Sequence, residues 1–419
     1  MPRGRAATGQ AREDSTRIVL DLIRRRSSVS RTELAGVSGM NKATISLIVA
    51  SLLRKGIVRE VGNGVSAAGR KPVLLSFAAD SARVIGVMLN VNSLQIVLTD
   101  LEGRIVSERR ESLCDTTTEG VLRQLKESIR SGADGTPGAP GVVAIGVGVP
   151  GLVDFHRGIV VHTPNMELSA VNLRQQLEMD VGVPVFVDNS ANMTAFGERL
   201  FGIGKRFQNF VYLSVSTGIG AGIVVNGELQ RGATGFAGEL GHMVIEPHGL
   251  PCHCGGNGCW EMYGSVKALY RQAAEHLAES PREYRPDILH TAVEAADRGE
   301  VWAIEALQYV GFYLGVGVSN IVAAYNPEAV LIGNEISVAR RWVLPILETV
   351  IHTHLPPVLR ASVTLLMLKY DANTAVIGAA AAAIQGYLDA AVRERDSGVG
   401  RPDRRALRGD NRTEAAATK

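Results

Sequence analysis

Apolar residues recur at helical spacing through the first part of the chain. Ile18, Leu20, Leu22 and Ile23 sit in a first helical segment that ends at Arg24-Arg25-Arg26. A second segment begins at Ser30-Arg31-Thr32-Glu33, the spacing of a capping box, in which the Ser and Glu side chains satisfy each other's free backbone N–H groups. It turns Leu34 and Ala35 inward and breaks near Gly36 and Gly39. Asn41 then caps a third segment, Lys42 to Arg54. Here Ile45, Ile48, Val49, Leu52 and Leu53 form one buried stripe, and Lys42, Thr44, Ser46 and Ser51 lie off it. Two short helices joined by a tight Gly-containing turn predict a helix-turn-helix, whose second helix fits the major groove of DNA. Ile57 to Val61, the turn Gly62-Asn63-Gly64 and Val73 to Phe77 predict a two-stranded wing. Gly69-Arg70-Lys71-Pro72 forms its basic edge, where an extended Arg-Lys pair can enter a narrow minor groove.

From Arg83 the pattern changes to strands alternating with helices. Val84–Met88, Gln95–Thr99 and Ile105–Arg110 read as strands with short turns, and a helix follows around Val121–Arg130. Ser131–Gly141 is a Gly/Pro loop. Val142–Val147 and Val183–Val187 are buried strands, the first ending in Gly148-Val149-Pro150-Gly151, the second leading through Asp188-Asn189 into a helix to about Leu200. Phe210–Val215 and Gly222–Val225 form a hairpin around Ser216-Thr217-Gly218-Ile219-Gly220. Helices fill residues 265–325, Val330–Ile332 and Val363–Leu368 are strands, and Thr374–Ala390 is a last helix. The alternation predicts an α/β body with ligands at strand ends. The domain reading is a basic disordered arm over 1–12, a winged helix-turn-helix over 13–80, an effector body over 83–391 and a disordered tail over 392–419, which is Arg/Asp/Gly/Ala-rich without periodicity.

Charge separates head from body. Residues 1–80 hold 14 Lys/Arg and 6 Asp/Glu, a net +8, in a chain whose formal net charge is only +2. A basic head on an acidic body places nucleic acid at the head. The 419 residues, 46% hydrophobic and 21% charged, suit a soluble protein of two or three domains. No apolar run reads as long enough to span a bilayer, and Met1-Pro2-Arg3-Gly4-Arg5 lacks the apolar stretch of a signal peptide, so a cytoplasmic protein with no membrane partner is expected.

The densest chemical signal is Gly241-His242 followed by Pro251-Cys252-His253-Cys254-Gly255-Gly256-Asn257-Gly258-Cys259. Three thiols and an imidazole can close a tetrahedral zinc site, structural because no coordination position stays open for water. His242 is the upstream imidazole, with His248 and His253 also nearby. Cys114 stands apart as a core residue.

These residues together resemble the ROK family (repressors, open reading frames and sugar kinases), and within it the winged-helix repressors of the xylose and N-acetylglucosamine repressor type. The resemblance covers roughly residues 13–390. In the head it rests on Ser30-Arg31-x-Glu33-Leu34-Ala35, Ala43-Thr44-x-Ser46 and Gly69-Arg70-Lys71. In the body it rests on Gly148-Val149-Pro150-Gly151, Thr217-Gly218-Ile219-Gly220, Glu239-Leu240-Gly241-His242, the three cysteines and Glu261. It implies a two-lobed, actin-like ATPase (ribonuclease H-like) fold with sugar between the lobes. It also implies Zn2+ on His242, Cys252, Cys254 and Cys259, and a homodimer or homotetramer. It places Asn165, Asn189, Glu239, His242 and Glu261 around the sugar. It sets Arg31, Lys42, Thr44, Ser46, Arg70 and Lys71 on a palindromic double-stranded operator.

The chain departs from the family's kinases at three places. Met88-Leu89-Asn90-Val91-Asn92 stands where the first phosphate loop reads Asp-x-Gly-Gly-Thr, so the acid that orders metal and phosphate is missing. In Asp188-Asn189-Ser190-Ala191-Asn192, Ser190 replaces the carboxylate that accepts the sugar hydroxyl proton. Gly333-Asn334 replaces a late Gly-Gly of the adenosine site. The departures imply a sugar-responsive repressor that binds a sugar or sugar phosphate without phosphorylating it. The alternatives are an active sugar kinase with an appended DNA-binding domain, or a repressor controlled by a protein partner.

Overall fold

The computed structural model describes residues 3–64, 71–133, 140–164, 166–274, 276, 287–371 and 373–393. Its body consists of two lobes, each built on a five-stranded sheet. The first sheet has the order Val185–Asn189, Val142–Val149, Arg83–Asn90, Ser93–Thr99, Ile105–Ser112. The second has the order Glu228–Leu229, Ile219–Val225, Phe210–Val215, Ala329–Gly333, Thr364–Met367. Both follow one plan. An antiparallel meander comes first, and two parallel strands are then added on the free side of its first strand. The parallel strands read as unbroken apolar runs because helices cover both of their faces. The edge strand Ile105–Ser112 is exposed and carries Glu108, Arg109, Arg110 and Glu111, charges that discourage pairing with another chain.

The last helix, Thr374–Arg393, lies across the first sheet and against the helix Ser190–Leu200. Glycine permits this closeness. A Cβ on Gly146 would fall 1.9 Å from the Ala379 carbonyl oxygen, and one on Gly86 2.5 Å from that of Val376. Where the two helices cross, Gly197 meets Gly378, and a Cβ on Gly378 would fall 2.2 Å from the Met193 carbonyl oxygen. This helix and Val301–Tyr325 are, by length and composition, apolar enough to cross a membrane, contrary to the expectation that no such run exists. More than half of each apolar window is buried in the protein. Their all-round apolarity follows from being packed on several sides at once.

The head packs the helices Arg3–Arg24, Arg31–Ser38 and Lys42–Arg54 beside a small antiparallel sheet. Ser30 caps the helix Arg31–Ser38 through the expected capping box, with the Ser30 N–H donating to Glu33 at 2.7 Å and the Glu33 N–H donating to Ser30 Oγ at 3.2 Å. Asn41 caps Lys42–Arg54, accepting from the Thr44 N–H at 2.8 Å. Three details differ from the sequence reading. Residues 3–12 are helical, not disordered: Arg3–Arg24 is one helix, since Ala, Arg and Gln between 5 and 12 let it propagate outward from its packed half. Gly62-Asn63 belongs to the strand Val58–Asn63, not to a turn. The chain reverses beyond it, where the Gly64 N–H donates to the Pro72 carbonyl at 2.8 Å. A short strand, Val29–Ser30, joins Val73–Phe77 to make the wing's sheet three-stranded. Residues 394–419, read as a tail, lie outside the described residues.

Head and body share one core. Val19, Ile23, Ile45, Val49 and Leu75 of the head pack in the same cluster as Val84, Met88, Ala380, Ile384 and Leu388 of the body. Arg17 pairs with Asp389 at 3.2 Å and Lys55 Nζ donates to the Ala391 carbonyl, both at the far end of the last helix. Gly378→Ala is therefore expected to strain the crossing of the helices and lower stability by about 1–3 kcal/mol, the usual range for overpacking. Denaturant titration with one probe in the head and one in the body should show both transitions moving together. An unchanged midpoint would contradict the close approach.

Candidate functional site: the cleft between the lobes

The lobes enclose a cleft of about 990 Å3 at the ends of the sheet strands. Each lobe contributes its first hairpin turn, Asn90 to Ser93 from one side and Ser216 to Gly220 from the other. Asn189, Glu239, His242 and Glu261 all line it. Asn165, assigned to the same site, lies outside the described residues. Asn189 ends the strand Val185–Asn189 and caps the helix after it. Its Oδ1 accepts from the Ala191 N–H and its Nδ2 donates to the Gly151 carbonyl, each at 2.7 Å. Ser190 opens that helix and also faces the cleft. Met88 lines the floor, its Cε 2.5 Å from where a Cβ on Gly148 would stand.

A loop folded on itself closes the second lobe's side. Two isolated β-bridges, Val244 with Cys259 and Pro251 with Asn257, tie it together. Gly258 adopts φ 75° and sits where a Cβ would fall 1.8 Å from the Glu246 carbonyl oxygen. The residue after Cys259 is Trp260, fully buried, whose indole N–H donates to the Tyr313 carbonyl at 2.7 Å. This anchors the loop to Val301–Tyr325. The ligand atoms of His242, Cys252, Cys254 and Cys259 lie within 4.8 Å of one another. Cys254 Sγ is 3.6 Å from Cys259 Sγ, and Cys252 Sγ is 3.7 Å from His242 Nδ1. A tetrahedral zinc with the usual bond lengths would set such pairs at about 3.8 and 3.6 Å. The four residues thus fit a tetrahedral metal ion. His253, 3.1 Å from Glu261, joins only a second grouping with His242 and Glu261 and not the three thiols. His248 belongs to neither group among the described residues.

His242 links this cluster to the cleft. Its Nδ1 faces the sulfurs and its Nε2 faces Glu239 at 3.9 Å. Glu261 is buried and accepts from Cys252 Sγ at 3.2 Å, and its other oxygen reaches toward Gly218 in the hairpin turn. Burial pushes the Glu239 carboxyl above its ordinary range, with His242 opposing the shift.

A second network, behind the cleft-lining Asn189, has no signal in the sequence. Asp188, 1% exposed, accepts from Arg231 Nε at 2.9 Å, from Asn192 Nδ2 at 3.1 Å and from the Asn189 N–H at 2.7 Å. Arg231 comes from the other lobe and stacks on Phe155, its guanidinium carbon 3.7 Å from the ring centre. The ion pair thereby bridges the lobes and fixes Asn189. Burial pushes the Asp188 carboxyl up, and Arg231 and Asn192 pull it back. No motif marks Arg231, because it acts through a partner 43 residues away.

In the head, Lys42 and Ser46 are exposed on the helix Lys42–Arg54, Thr44 is half-buried, and Lys71 is exposed just before the strand Val73–Phe77. Arg31 is held by Glu60 of the wing strand at 3.2 Å. Arg70 lies outside the described residues.

Two lobes of one topology, a polar cleft between them and a winged helix in front define a transcriptional regulator built on an actin-like, sugar-kinase-type fold. The model of the ROK family matches residues 84–386. The xylose repressor of Bacillus spizizenii (strain W23) is 36% identical over 374 residues, covering 89% of this chain and 95% of that protein. The crystal structure of a ROK family transcriptional regulator homologous to E. coli MLC aligns with a TM-score of 0.80 at 28% identity, over 92% of this chain and 98% of that one. A ROK family glucokinase from Streptomyces griseus, in complex with glucose and AMPPNP, aligns with a TM-score of 0.65 at 28% identity, over 73% of this chain and 100% of that one. The chain belongs to the ROK family, and within it to the sugar-responsive transcriptional repressors.

Arg231→Met is expected to leave the Asp188 carboxylate buried without its cation and to cost about 3 kcal/mol at neutral pH. Burial already raises the Asp188 pKa with Arg231 present, and losing Arg231 raises it further, so the variant's folded state holds the proton more tightly than the parent's and its deficit grows as pH rises. Urea titrations of variant and parent at pH 5 and pH 8 should show the larger gap at pH 8. An equal gap would remove Asp188 from the account.

Proposed function

We propose that the chain represses carbohydrate uptake or metabolism genes in the cytoplasm, and that a sugar or sugar phosphate held between its lobes controls DNA binding without being phosphorylated. The carrying observation is the asymmetry of the cleft. Its sugar-facing polar groups, Asn189, Glu239, His242 and Glu261, converge on one space. The positions that would handle phosphate transfer hold Met88, Asn90, Val91, Asn92 and Ser190. Carboxylates and amides grip sugar hydroxyls through paired hydrogen bonds, whereas a serine without an adjacent base cannot take a hydroxyl proton near neutral pH. With Ser190 in place of a carboxylate, a phosphorylated sugar would meet less repulsion beside the reactive hydroxyl.

On the DNA side, a homodimer or homotetramer would set two heads on a palindromic operator. Lys42, Thr44 and Ser46 would face the major groove, and Arg70 and Lys71 the minor groove. Arg31, paired with Glu60, would orient the wing beside a phosphate. The last helix supports coupling. Thr374 and Ala375 at its start line the cleft, and Asp389 and Ala391 near its end hold Arg17 and Lys55 of the head. A change of lobe angle on binding would therefore reposition the heads.

The bound metal would be zinc, held by His242, Cys252, Cys254 and Cys259. Its contribution is structural, fixing the loop that carries Glu239 and His242. Metal analysis of protein purified without chelator is expected to find about one equivalent of zinc per subunit, as a closed four-ligand site requires. Cys254→Ser, at an exposed position, should lose that metal and lower the melting temperature. Retention of a full equivalent by the variant would remove Cys254 from the ligand set.

Coupled assays with ATP and glucose, N-acetylglucosamine or xylose should show no turnover. General-base catalysis alone is worth about 10²–10⁴-fold. Calorimetry with each sugar and a matched sugar phosphate, the 6-phosphate for glucose and N-acetylglucosamine, should show binding to at least one compound. Robust ATP-dependent phosphorylation of any of them would instead favour the kinase reading.

A further inference from the structure

The recognition helix has an unusual outer face. Ile45, Ile48, Val49 and Leu52 are buried in the head, while Lys42, Ala43, Ser46 and Leu47 are exposed. Leu47 is 70% exposed, which no requirement of the fold explains. Between Lys42 and Arg54 the sequence Ala43-Thr44-Ile45-Ser46-Leu47-Ile48-Val49-Ala50-Ser51-Leu52-Leu53 contains no Arg, Lys, Asn, Gln, Asp or Glu. The side chains that pair bidentately with guanine or adenine edges are thus absent from the helix's central face. The neighbouring amide, Asn41, already accepts from the Thr44 N–H at 2.8 Å as the helix cap, which holds its Oδ1 against the helix end. In the major groove one base feature is apolar, the C5-methyl group of thymine. Small neighbours at 43 and 46 allow the helix to approach base edges closely.

We infer that Leu47 reads thymine by packing on its C5-methyl group, so that specificity at the centre of each half-site rests on apolar contact. The assignment rests on the DNA-binding reading of the head. Leu47 is the large apolar side chain exposed on this face, and the +8 charge of residues 1–80 makes a polyanion the partner that this surface meets. The basic residues of the head would bind phosphates and fix register, leaving sequence to be read by the helix's own outer face.

The test uses full-length protein and a duplex enriched by it from a random-sequence library. Each thymine of that duplex is replaced singly by deoxyuridine, which removes only the methyl group. Affinities are measured at fixed salt for the parent chain, Leu47→Ala and Lys42→Ala. Alanine is the stronger helix former and Leu47 is exposed, so Leu47→Ala keeps the fold. At a symmetry-related pair of thymines, the parent should lose about four-fold in affinity per methyl group removed, the change that burial of one such group corresponds to. Leu47→Ala should bind the thymine duplex more weakly and show no further loss with deoxyuridine. Its salt dependence should stay parental, whereas that of Lys42→Ala should flatten. Parental affinity in Leu47→Ala, or the same deoxyuridine loss in both proteins, would overturn the assignment while leaving DNA binding standing. A chain that enriches no duplex would overturn both.

Discussion

The last helix can sit where it does only because four glycines leave room for it. Gly86 and Gly146 let it touch the backbone of the first lobe's central strands, and Gly378 and Gly197 let it cross the helix that carries Ser190. The approach is backbone to backbone, so little side-chain freedom is available to absorb a shift. Interiors packed to this density transmit displacement instead of damping it. The same helix begins at the cleft, where Gln95 Nε2 donates to Asn373 Oδ1 at 2.6 Å just before it, and ends beneath the head. Cleft geometry and head position are therefore properties of one rigid element.

That arrangement explains which parts of the chain were legible in its sequence. The capping box at Ser30 and Glu33, the stripe of Ile45, Ile48, Val49 and Leu52, and the parallel strands were visible because each depends on neighbours a few residues away. The Cys252, Cys254 and Cys259 loop was visible for the same reason, since short spacing and glycines confine its thiols together. His242 needed the resemblance as well, because spacing alone leaves His248 and His253 beside it. The Asp188–Arg231 pair, the shared core of head and body and the short strand Val29–Ser30 were not legible. Each joins segments far apart in sequence, and no local pattern records such a partnership. The helical arm over 3–12 was misread for a different reason, since polar composition suits an extended solvent-exposed helix as well as a disordered arm.

Two different devices hold the cleft walls. On one side the folded loop uses bridges, glycine turns and a metal-competent set of thiols to present Glu239 and His242. On the other, Asp188 gathers three donors and so orients Asn189. The first device is confined to one lobe. The second crosses between lobes, so it is the one that a change of lobe angle must strain. Burial makes Asp188 intolerant of losing Arg231, and stacking on Phe155 holds the guanidinium flat against the opposite wall. The ion pair therefore serves as a specific link between the lobes more than as a source of stability, in keeping with the modest net worth of buried pairs.

A phosphotransfer enzyme and a sensor place opposite demands on such a cleft. The enzyme must bind the transition state better than the ground state, then release its product. The sensor needs only a difference in affinity between two arrangements of its lobes. On the proposed reading, Ser190 in place of an acid and Met88 at the cleft leave the first demand unserved and the second untouched. Asn189 stands on one lobe and Glu239, His242 and Glu261 on the other, so on the proposed reading a ligand that touches both would favour the arrangement in which they converge. What such a ligand could shift is set by that differential contact alone, and the glycine-seated helix is the element through which the proposed shift would reach the head.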